Sequence, residues 1–500
     1  MHLASTYALS SCRIRTRGQE VAFLRMAAPY SLTSIVFLFA TIGLAHAQQG
    51  NGRSAPALFQ DRCAGCHGQN LEGGKASSLL DQKWAHGGDD ASLENTIRNG
   101  LPVSGMPAFG TVLSDAEIRA LIVFIRESAT RVGNPEMRGS HPLPDGPQSS
   151  EAATYRMELV SSGFDVPWSI AFLPDGRMLV TERPGRLRVV KDGAVAPEPV
   201  SGIPDVWAHD EGGLFTVLLH PDYAKNGWVY LSFADPGEKN TSMTKIIRGR
   251  LRGNAFVDQE TIFNMPRESY RESGMSFGGR LVFDGRYLFF SVGERGKVGD
   301  AQQLDNPYGK IHRLHDDGRV PDDNPFVHTP GAMPSIWSFG HRNPQGLAVV
   351  PETGELWETE HGPRGGDELN FIRRGANYGW PVITHGMNYD GTPVSSLTAK
   401  VGMEQPVRHW TPSIATCPIL FYTGDAFPGW KNQLFLGSLA QQEFLRFTLD
   451  GGKISHEERV FKNRGRVRDI QQGPDGCIYL ALEIPGGGGL VARIVPDRKP

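Results

Sequence analysis

The sequence predicts a mainly β protein in which a six-bladed β-propeller follows a small all-α domain. Three observations carry this prediction. Short strand-like runs, each led by a tight turn, recur along about 350 residues. A separate N-terminal segment has helical periodicity and contains the compact motif Cys63-Ala-Gly-Cys66-His67. The 60 glycines and 35 prolines also suit many tight turns better than long helices.

Length and charge limit the classes of protein that the chain can represent. A chain of 500 residues is too long for one ordinary domain and suffices for two, one of them large. The formal net charge is −3, and 21% of the residues are charged. A near-neutral balance without a basic excess argues against a nucleic-acid partner.

The first 47 residues predict a leader and signal peptide. An apolar run over 35–44 is too short to span a bilayer, and it ends in the small-residue sequence Ala45-His46-Ala47. We expect cleavage after Ala47, export to the periplasm and no stable membrane span in the mature chain; an uncleaved anchor is the alternative. In that oxidising compartment Cys417 and Cys477 could pair, but the sequence does not place them within bonding distance.

The motif at 63–67 is the attachment signature of a c-type haem. Two thiols at this spacing bond to one porphyrin, and His67 then reaches the iron from one face. Met106, in the Gly- and Pro-rich stretch 100–110, is expected as the second iron ligand. The alternatives are a redox dithiol or half of a zinc site, but neither a βαβ context nor two further zinc ligands lie nearby.

Helices are expected on both sides of this motif. Residues 56–67 predict a helix that runs into it, and 113–129 begin with a capping box, Ser114 and Glu117. The order of helix, haem motif, methionine loop and last helix resembles a class I cytochrome c domain, which we assign to 48–130. Residues 131–150, rich in Pro, Gly and Ser, predict a linker.

The remainder, 151–500, predicts the propeller. Tight turns at Asp175, Asp222, Asp284 and Glu352 each precede β-branched or aromatic runs, with the spacing of a repeat that carries insertions. A pair of β-sandwiches is the alternative fold, and the long-range recurrence argues against it.

Several long sequence motifs in this region point to a particular family more specifically than the repeat does. They are EGGLFTVLLHPDY at 211–223, SFGHRNPQGLA at 338–348, EHGPRGGDELN at 360–370, ANYGWP at 376–381 and RVRD at 466–469. Together they resemble the soluble, PQQ-dependent aldose (glucose/sorbosone) dehydrogenases. The resemblance implies PQQ and Ca²⁺ as cofactors, a small sugar as substrate, and a base that removes a proton as hydride leaves the sugar.

The resemblance also assigns roles to individual positions. It places Arg342 and Asn343 at the quinone oxygens of PQQ, and Arg466 and Arg468 at the carboxylates of PQQ. It places the carbonyls of Gly362 and Pro363 at Ca²⁺, and Tyr378 on the sugar side. A guanidinium fork suits a carboxylate, and Ca²⁺ prefers oxygen ligands. The alternative is that Arg466 and Arg468 lie on a solvated strand face and bind no cofactor, and that Gly362-Pro363 is an ordinary turn.

Three positions depart from the family's pattern. Ser276 stands where the family usually has its basic histidine, Ala440 stands where it has a cofactor-binding lysine, and Glu294 stands where it often has aspartate. We expect Glu294 or Glu211 to serve as the base, with Arg342 beside it, if burial raises the pKa of the glutamate. His209 and His361 flank the same phrases and are alternative bases.

The sequence therefore predicts a periplasmic quinohaemoprotein. It would oxidise an aldose or related alcohol with PQQ, pass electrons to its covalent haem c, and deliver them to an external acceptor such as a cytochrome or a terminal oxidase. The alternative is a propeller without PQQ chemistry that binds a carbohydrate or a partner protein, with the cytochrome as the only redox centre.

Overall fold

A computed structural model describes residues 52–133, 143–450 and 452–497. The predicted leader, 1–47, lies outside the described residues, and so does the middle of the predicted linker, 134–142. The described residues form one compact unit. None of the helices within the described ranges has the length and apolar character needed to cross a membrane.

The N-terminal part is all-α, as the sequence predicts. Its helices are α1 Ala55–Arg62, α2 Ala64–His67, α3 Asp90–Asn99 and α4 Asp115–Gly133. The capping box at the start of α4 is present, because the Ser114 N–H donates to Glu117 Oε2 at 2.9 Å and the Glu117 N–H donates back to Ser114 Oγ at 3.3 Å. The apolar face of α4 packs on α1 through Leu58 and Phe59.

Helix α3 was not anticipated from the sequence. It begins at the N-cap Asp89, whose carboxylate accepts the N–H of Ser92 at 2.9 Å, and its apolar residue Leu93 packs into the helical core. Only Leu93 of this helix is buried, so the apolar periodicity that would have indicated it is short.

Six antiparallel sheets form the blades of the propeller, which confirms the predicted fold class. The strands of the first three blades are β3 Pro167–Phe172, β4 Met178–Glu182, β5 Arg186–Lys191 and β6 Ala194–Val195; β7 Leu214–Leu219, β8 Trp228–Pro236, β9 Ser242–Arg252 and β10 Ala255–Phe263; and β11 Gly278–Asp284, β12 Tyr287–Val292, β13 Lys310–His315 and β14 Ile336–Phe339. A one-turn helix, α5 Tyr223–Asn226, precedes β8.

The remaining blades follow the same order. Their strands are β15 Pro344–Val349, β16 Leu356–Glu360, β17 Asp367–Ile372 and β18 Arg408–Trp410; β19 Thr416–Tyr422, β20 Gln433–Ser438, β21 Glu443–Asp450 and β22 Lys453–Lys462; and β1 Gln148–Ser149, β2 Thr154–Phe164, β23 Arg466–Gln472, β24 Ile478–Glu483 and β25 Gly489–Pro496. The ring closes because β2 pairs with β25, with Tyr155 opposite Pro496. This pairing joins the N-terminal and C-terminal strands of the propeller in one blade, and the radial arrangement leaves only short edges on each sheet.

Ordered structure reaches into both ends of the predicted linker, since α4 continues to Gly133 and β1 begins at Gln148. The four described cysteines are all free thiols, so Cys417 and Cys477 do not form a disulfide in this structure. Both of these side chains are buried.

A buried ion pair joins blades at the centre of the ring. Arg280 Nη1 donates to Asp469 Oδ1 at 2.8 Å, and the other oxygen of Asp469 accepts the Ile170 N–H at 2.8 Å. Arg280 also donates to the carbonyls of Gln345 and Arg468, at 2.9 and 3.0 Å. One guanidinium thus connects the innermost strands of blades that are far apart in sequence.

We expect Arg280→Met to lower the free energy of unfolding by about 3–5 kcal/mol, because it leaves the Asp469 carboxylate buried without its cation. The matched control is Arg252→Met at the exposed end of β9, where the change should be under about 1 kcal/mol. Denaturant titration of the two variants beside the parent chain measures both values. An equal decrease in the free energy of unfolding for both variants would show that the central ion pair stabilises the fold no more than an exposed one does.

Candidate functional site

The residues of the predicted haem motif lie on and directly before helix α2. His67 ends α2, and its Nδ1 lies 3.0 Å from the Ser77 carbonyl. If Nδ1 donates its proton to this carbonyl, Nε2 carries the lone pair that an iron ligand needs. Cys66 is exposed and Cys63 is half-buried, and burial raises the pKa of the Cys63 thiol to about 11.

Met106 lies on the loop after α3, where it forms an isolated bridge with Leu101. Gly100 makes this close approach possible, since its φ is +68° and a Cβ there would lie 2.6 Å from the Met106 carbonyl oxygen. A set of half-buried apolar side chains packs against the same helical core: Leu79, Leu80, Trp84 and Phe109. An apolar lining with two thiols, an imidazole and a thioether fits a covalent haem.

The second group of predicted residues lies where the inner loops of the propeller meet. Arg342 precedes β15, and its Nη1 donates to the carbonyls of His361 and Gly362, both at 3.1 Å. Its Nε is buried without a hydrogen-bond partner. The carbonyl of Gly362, predicted as a Ca²⁺ ligand, therefore faces a guanidinium in this structure, and Pro363 follows it in the same buried loop.

Glu294 lies beside Arg342. The Glu294 N–H donates to the Arg342 carbonyl at 2.8 Å, and the carboxylate atom Oε2 is buried without a partner. Burial raises the pKa of Glu294, and the nearby charge of Arg342 and the Ser276 hydroxyl oppose that rise in part. A carboxyl group with a raised pKa and a free oxygen has the properties expected of a general base.

Ser276 is held between the two predicted glutamates. Its N–H donates to Glu211 Oε2 at 2.8 Å, and its φ is +57°, a value uncommon for residues other than glycine. The segment before it is anchored by Arg295, whose Nε donates to the Met275 carbonyl at 3.0 Å. The structure thus brings Glu211, Ser276 and Glu294 together at the position where the family pattern has its histidine.

Arg466 and Arg468 share one carboxylate. Arg466 Nη1 lies 3.3 Å from Glu483 Oε1, and Arg468 Nε donates to Glu483 Oε2 at 2.6 Å. Burial alone would raise the pKa of Glu483, but the charges of these arginines and of Arg183 outweigh it and lower that pKa. Arg183 was missed in the sequence, although it follows a predicted strand directly, as inner-loop residues do.

His361 shows that the predicted arginines converge. Burial, and to a lesser extent the charges of Arg342, Arg468 and Arg466, together lower its pKa to about 3. All three arginines therefore lie within electrostatic range of one imidazole. The Nε2 atom of that imidazole is buried without a partner, so His361 enters this site as a neutral ring. His209, by contrast, is exposed and packs against Trp207 at a ring distance of 5.1 Å.

A buried aspartate holds the loop that contains Gly362. Asp367 accepts the N–H groups of Gly362, Ile414 and Ala415, at 2.9, 2.8 and 2.6 Å, and also the Ser413 hydroxyl. Burial raises its pKa to about 6, and these hydrogen bonds limit the rise. The sequence reasoning missed Asp367, although its position in the phrase GPRGGD could have indicated a loop anchor.

Two predicted residues have their polar groups engaged. The Tyr378 hydroxyl donates to the Phe371 carbonyl at 2.6 Å and accepts the Arg373 N–H at 2.8 Å, so this hydroxyl is already engaged, and the buried ring stacks on His341 at 4.6 Å. Asn343 Oδ1 accepts the Gly278 N–H at 3.1 Å and the Gln345 amide at 2.9 Å. Both residues border the site, and their hydrogen bonds hold the neighbouring backbone in place.

An exposed tyrosine at the rim was also missed. The Arg342 guanidinium lies 5.5 Å from the Trp380 ring and 6.0 Å from the ring of Tyr389, which is 53% exposed. Ala440 supplies only a methyl group where the family pattern has a lysine, and its N–H donates to the Ile414 carbonyl at 3.0 Å. The site nevertheless fits a flat quinone with several carboxylates. It contains four arginines, at 183, 342, 466 and 468, and buried polar atoms without a hydrogen-bond partner on Arg342, Glu294 and His361.

The helical domain contacts the loop that follows Pro363. Arg364 Nε lies 3.2 Å from both carboxylate oxygens of Glu127 on α4, and both side chains are mostly buried. Met387 is fully buried within the helical core, and the Ala55 N–H donates to the Gly391 carbonyl at 2.8 Å. The domain that carries the haem motif therefore packs beside the loop that would hold Ca²⁺.

The fold and this site define a β-propeller of the sugar dehydrogenase type joined to a cytochrome c domain. Residues 164–491 match the family described as Glucose / Sorbosone dehydrogenase, and residues 50–125 match the family described as Cytochrome C oxidase, cbb3-type, subunit III. The chain belongs to the Glucose / Sorbosone dehydrogenase family, and it carries a cytochrome c domain in front of the propeller.

Relatives agree with this assignment. Aldose sugar dehydrogenase YliI of Escherichia coli is 43% identical over 343 residues, which is 67% of this chain and 92% of that protein. The crystal structure of the soluble E. coli aldose sugar dehydrogenase in its apo form matches with a TM-score of 0.65 and 41% identity, covering 68% of this chain and 99% of that one. The PQQ-bound aldose sugar dehydrogenase of Streptomyces coelicolor matches with a TM-score of 0.54 and 26% identity, covering 70% and 100% of the two chains.

Proposed function

We propose that this protein is a periplasmic quinohaemoprotein that oxidises an aldose, or a related alcohol, and transfers the electrons to its own haem c. The convergence of Arg342, Arg466 and Arg468 on His361, beside the Gly362 carbonyl, carries this proposal. Three cations near one buried imidazole suit a quinone with several carboxylates. The cytochrome domain packed against the adjacent loop supports haem as the acceptor.

Oxidation of an aldose at C1 removes a hydride from the carbon and a proton from its hydroxyl, and leaves a lactone. Bound PQQ would supply the hydride acceptor, with Ca²⁺ polarising it, and a haem on Cys63, Cys66, His67 and Met106 would supply the outlet for electrons. Arg183, Arg466 and Arg468 would hold carboxylates of the quinone. Gly362 and Pro363 would offer carbonyl oxygens to Ca²⁺.

The residues of this chain would handle the proton. Glu294 Oε2 is buried, unpaired and next to Arg342, so it would accept the hydroxyl proton of the sugar. Ser276 and Glu211 would keep Glu294 in place, because Ser276 lies between the two carboxylates. Trp380 and the exposed Tyr389 would border the sugar at the rim, where an aromatic face can pack on its ring.

The test uses the exported, haem-loaded full chain with Ca²⁺, PQQ and a panel of aldoses, and it follows the haem absorbance. We expect reduction that requires both PQQ and a sugar, with electrons then passing to an added external acceptor. Absence of haem reduction, together with loss of PQQ on desalting, would contradict the proposal.

The arginine pair provides a matched prediction for the cofactor. Arg468→Met removes one charge-assisted hydrogen bond to a carboxylate, so we expect PQQ to bind about 10–150-fold more weakly. Equilibrium dialysis against PQQ in the presence of Ca²⁺ measures this change. Arg459→Met, on the outer strand β22, is the control and should bind PQQ as the parent chain does. Equal affinity in all three proteins would exclude Arg468 from the quinone site.

A second function is favoured by Ser276 and Ala440, which replace a base and a cation of the family pattern. In that case the propeller would bind a carbohydrate or a partner protein without oxidising it, and the cytochrome would be the only redox centre. Sugar binding detected by calorimetry in a chain that neither retains PQQ nor reduces its haem would support this second function.

A further inference from the structure

A cluster of polar side chains lies behind the candidate site in the fourth blade. Glu358 and Glu360 alternate along β16 and point to the same side, and the antiparallel register places Asn370 and Glu368 of β17 opposite them. His341 joins from the loop before β15. One ligand atom from each of His341, Glu358 and Glu360 lies within 4.8 Å of the others, and all three residues are buried.

Among the described residues, the only basic side chain within ion-pair distance of these carboxylates is His341, which lies 3.3 Å from Glu360 Oε1 and is a cation only when protonated. Within the described part of the chain, no arginine or lysine forms an ion pair with Glu358, Glu360 or Glu368. Five buried carboxylates elsewhere in the propeller have such a partner, whereas Glu294 and Asp367 form no ion pair with an arginine or lysine in the described part of the chain. The five paired carboxylates are Glu182 with Arg186 and Arg188, Asp235 with Lys245 and Arg267, Glu443 with Arg459 and Lys462, Glu458 with Arg446, and Asp469 with Arg280. Buried carboxylates without a counter-charge are strongly disfavoured, so this cluster requires a compensating cation or protons.

Two buried acceptor atoms in the cluster have no hydrogen-bond partner: Glu358 Oε1 and Asn370 Oδ1. The Asn370 amide nitrogen donates to Glu358 Oε2 and to Glu368 Oε2, both at 3.1 Å. Rotation of this amide by 180° would turn Oδ1 toward the carboxylates, which is favourable only with a cation between them. The cluster therefore offers more acceptors than its protein donors can satisfy.

The imidazole is compatible with the same cation. His341 Nε2 lies 2.9 Å from Ser338 Oγ, and His341 Nδ1 lies 3.3 Å from Glu360 Oε1. If Nδ1 carries the proton, it donates to Glu360 and the Ser338 hydroxyl donates to Nε2, and no metal is needed. If Nε2 carries the proton and donates to the serine, Nδ1 turns its lone pair toward the carboxylate, which is the form that can bind a metal. Two facing lone pairs repel, whereas a metal ion between them would be bound by both.

We propose that His341 Nδ1, Glu358 and Glu360 bind a divalent metal ion, Mn²⁺ or Zn²⁺, as a structural centre behind the candidate active site. One imidazole with two carboxylates suits these ions, whereas Ca²⁺ prefers oxygen ligands alone. The proposed centre is distinct from the Ca²⁺ expected at the Gly362 and Pro363 carbonyls. It would tie together the two segments that carry the site, because His341 precedes Arg342 and Glu360 precedes His361.

The test needs neither quinone nor sugar, so its outcome is independent of the proposed function. Metal analysis of the purified, haem-loaded full chain should find about one equivalent of Mn or Zn besides the haem iron. After removal of metal with a chelator, adding Mn²⁺ or Zn²⁺ should raise the melting temperature by about 5 °C. Glu358→Gln should lose the bound metal and this shift, while Glu352→Gln, on an exposed turn of the same blade, should keep both.

Two results would overturn the proposal. One is a parent chain that contains neither metal and whose melting temperature responds to neither ion. The other is a Glu358→Gln variant that binds as much metal as the parent chain. The measurements on the parent chain stand even if the variant does not fold.

Discussion

Glu294→Gln is expected to lower kcat for sugar oxidation by about 10²–10⁴-fold, because glutamine keeps the shape of the side chain but cannot accept a proton. The parent rate should fall as the pH falls through the raised pKa of Glu294, since only the carboxylate acts as a base. That acidic limb should be absent from the residual activity of the variant. Steady-state kinetics across the pH range, with PQQ and Ca²⁺ present, measure both effects.

Glu211→Gln is the matched control for this prediction. Glu211 accepts the Ser276 N–H, and a glutamine side-chain oxygen can accept the same hydrogen bond. We therefore expect a smaller loss of kcat and an acidic limb like that of the parent. If Glu211→Gln abolishes the acidic limb and Glu294→Gln leaves it in place, Glu211 is the base and the assignment to Glu294 is wrong.

Replacing both Cys63 and Cys66 with serine is expected to abolish covalent haem attachment, and with it all reduction of haem by sugar. The thioether bonds require both thiols, and serine cannot form them. A haem stain after denaturing electrophoresis measures attachment, and stopped-flow absorbance measures reduction. Oxidation of sugar with an artificial dye as acceptor should persist, because the arginines and Glu294 lie in the propeller.

Met106→Leu separates iron ligation from attachment. It keeps the cysteines and His67, so haem should still be attached, but loss of the thioether ligand should lower the reduction potential. Potentiometric titration checks this shift against the parent chain. An unchanged potential would show that Met106 packs in its loop without binding the iron. For the double serine variant, the contradicting result is covalently attached haem, which would show that Cys63 and Cys66 are not the attachment site.

Local sequence patterns predicted those parts of the fold that depend on near neighbours. The capping box at Ser114 and Glu117 forms as expected, because an N-cap and the residue three positions on meet within one turn. The turn at Asp175 and Gly176 leads into β4, and the run after Gly285 forms β12. Helix α3 escaped prediction because it buries only Leu93, so its apolar periodicity is weak.

The candidate site was predicted in part. The phrases around Arg342, Gly362 and Arg468 indicated residues that the structure brings near His361. The engagement of the Tyr378 hydroxyl with backbone groups was not foreseeable, since its partners depend on how the loop at 371–378 folds back. Arg183 was missed because no local motif marks it, and its proximity to Glu483 follows only from the packing of neighbouring blades.

The sequence by itself determined the haem motif, the succession of turns and strands that makes six blades, and the cationic residues available for a quinone. Only the tertiary structure decided which of these residues meet. The pairing of β2 with β25 closes the ring and brings positions 183, 342 and 468 to one centre. Packing of the helical domain placed Glu127 on Arg364, and the pairing of strands within the fourth blade placed His341 beside Glu358 and Glu360. Turns and caps arise from contacts within a few residues, whereas these groupings need strands, blades or domains to pack against one another.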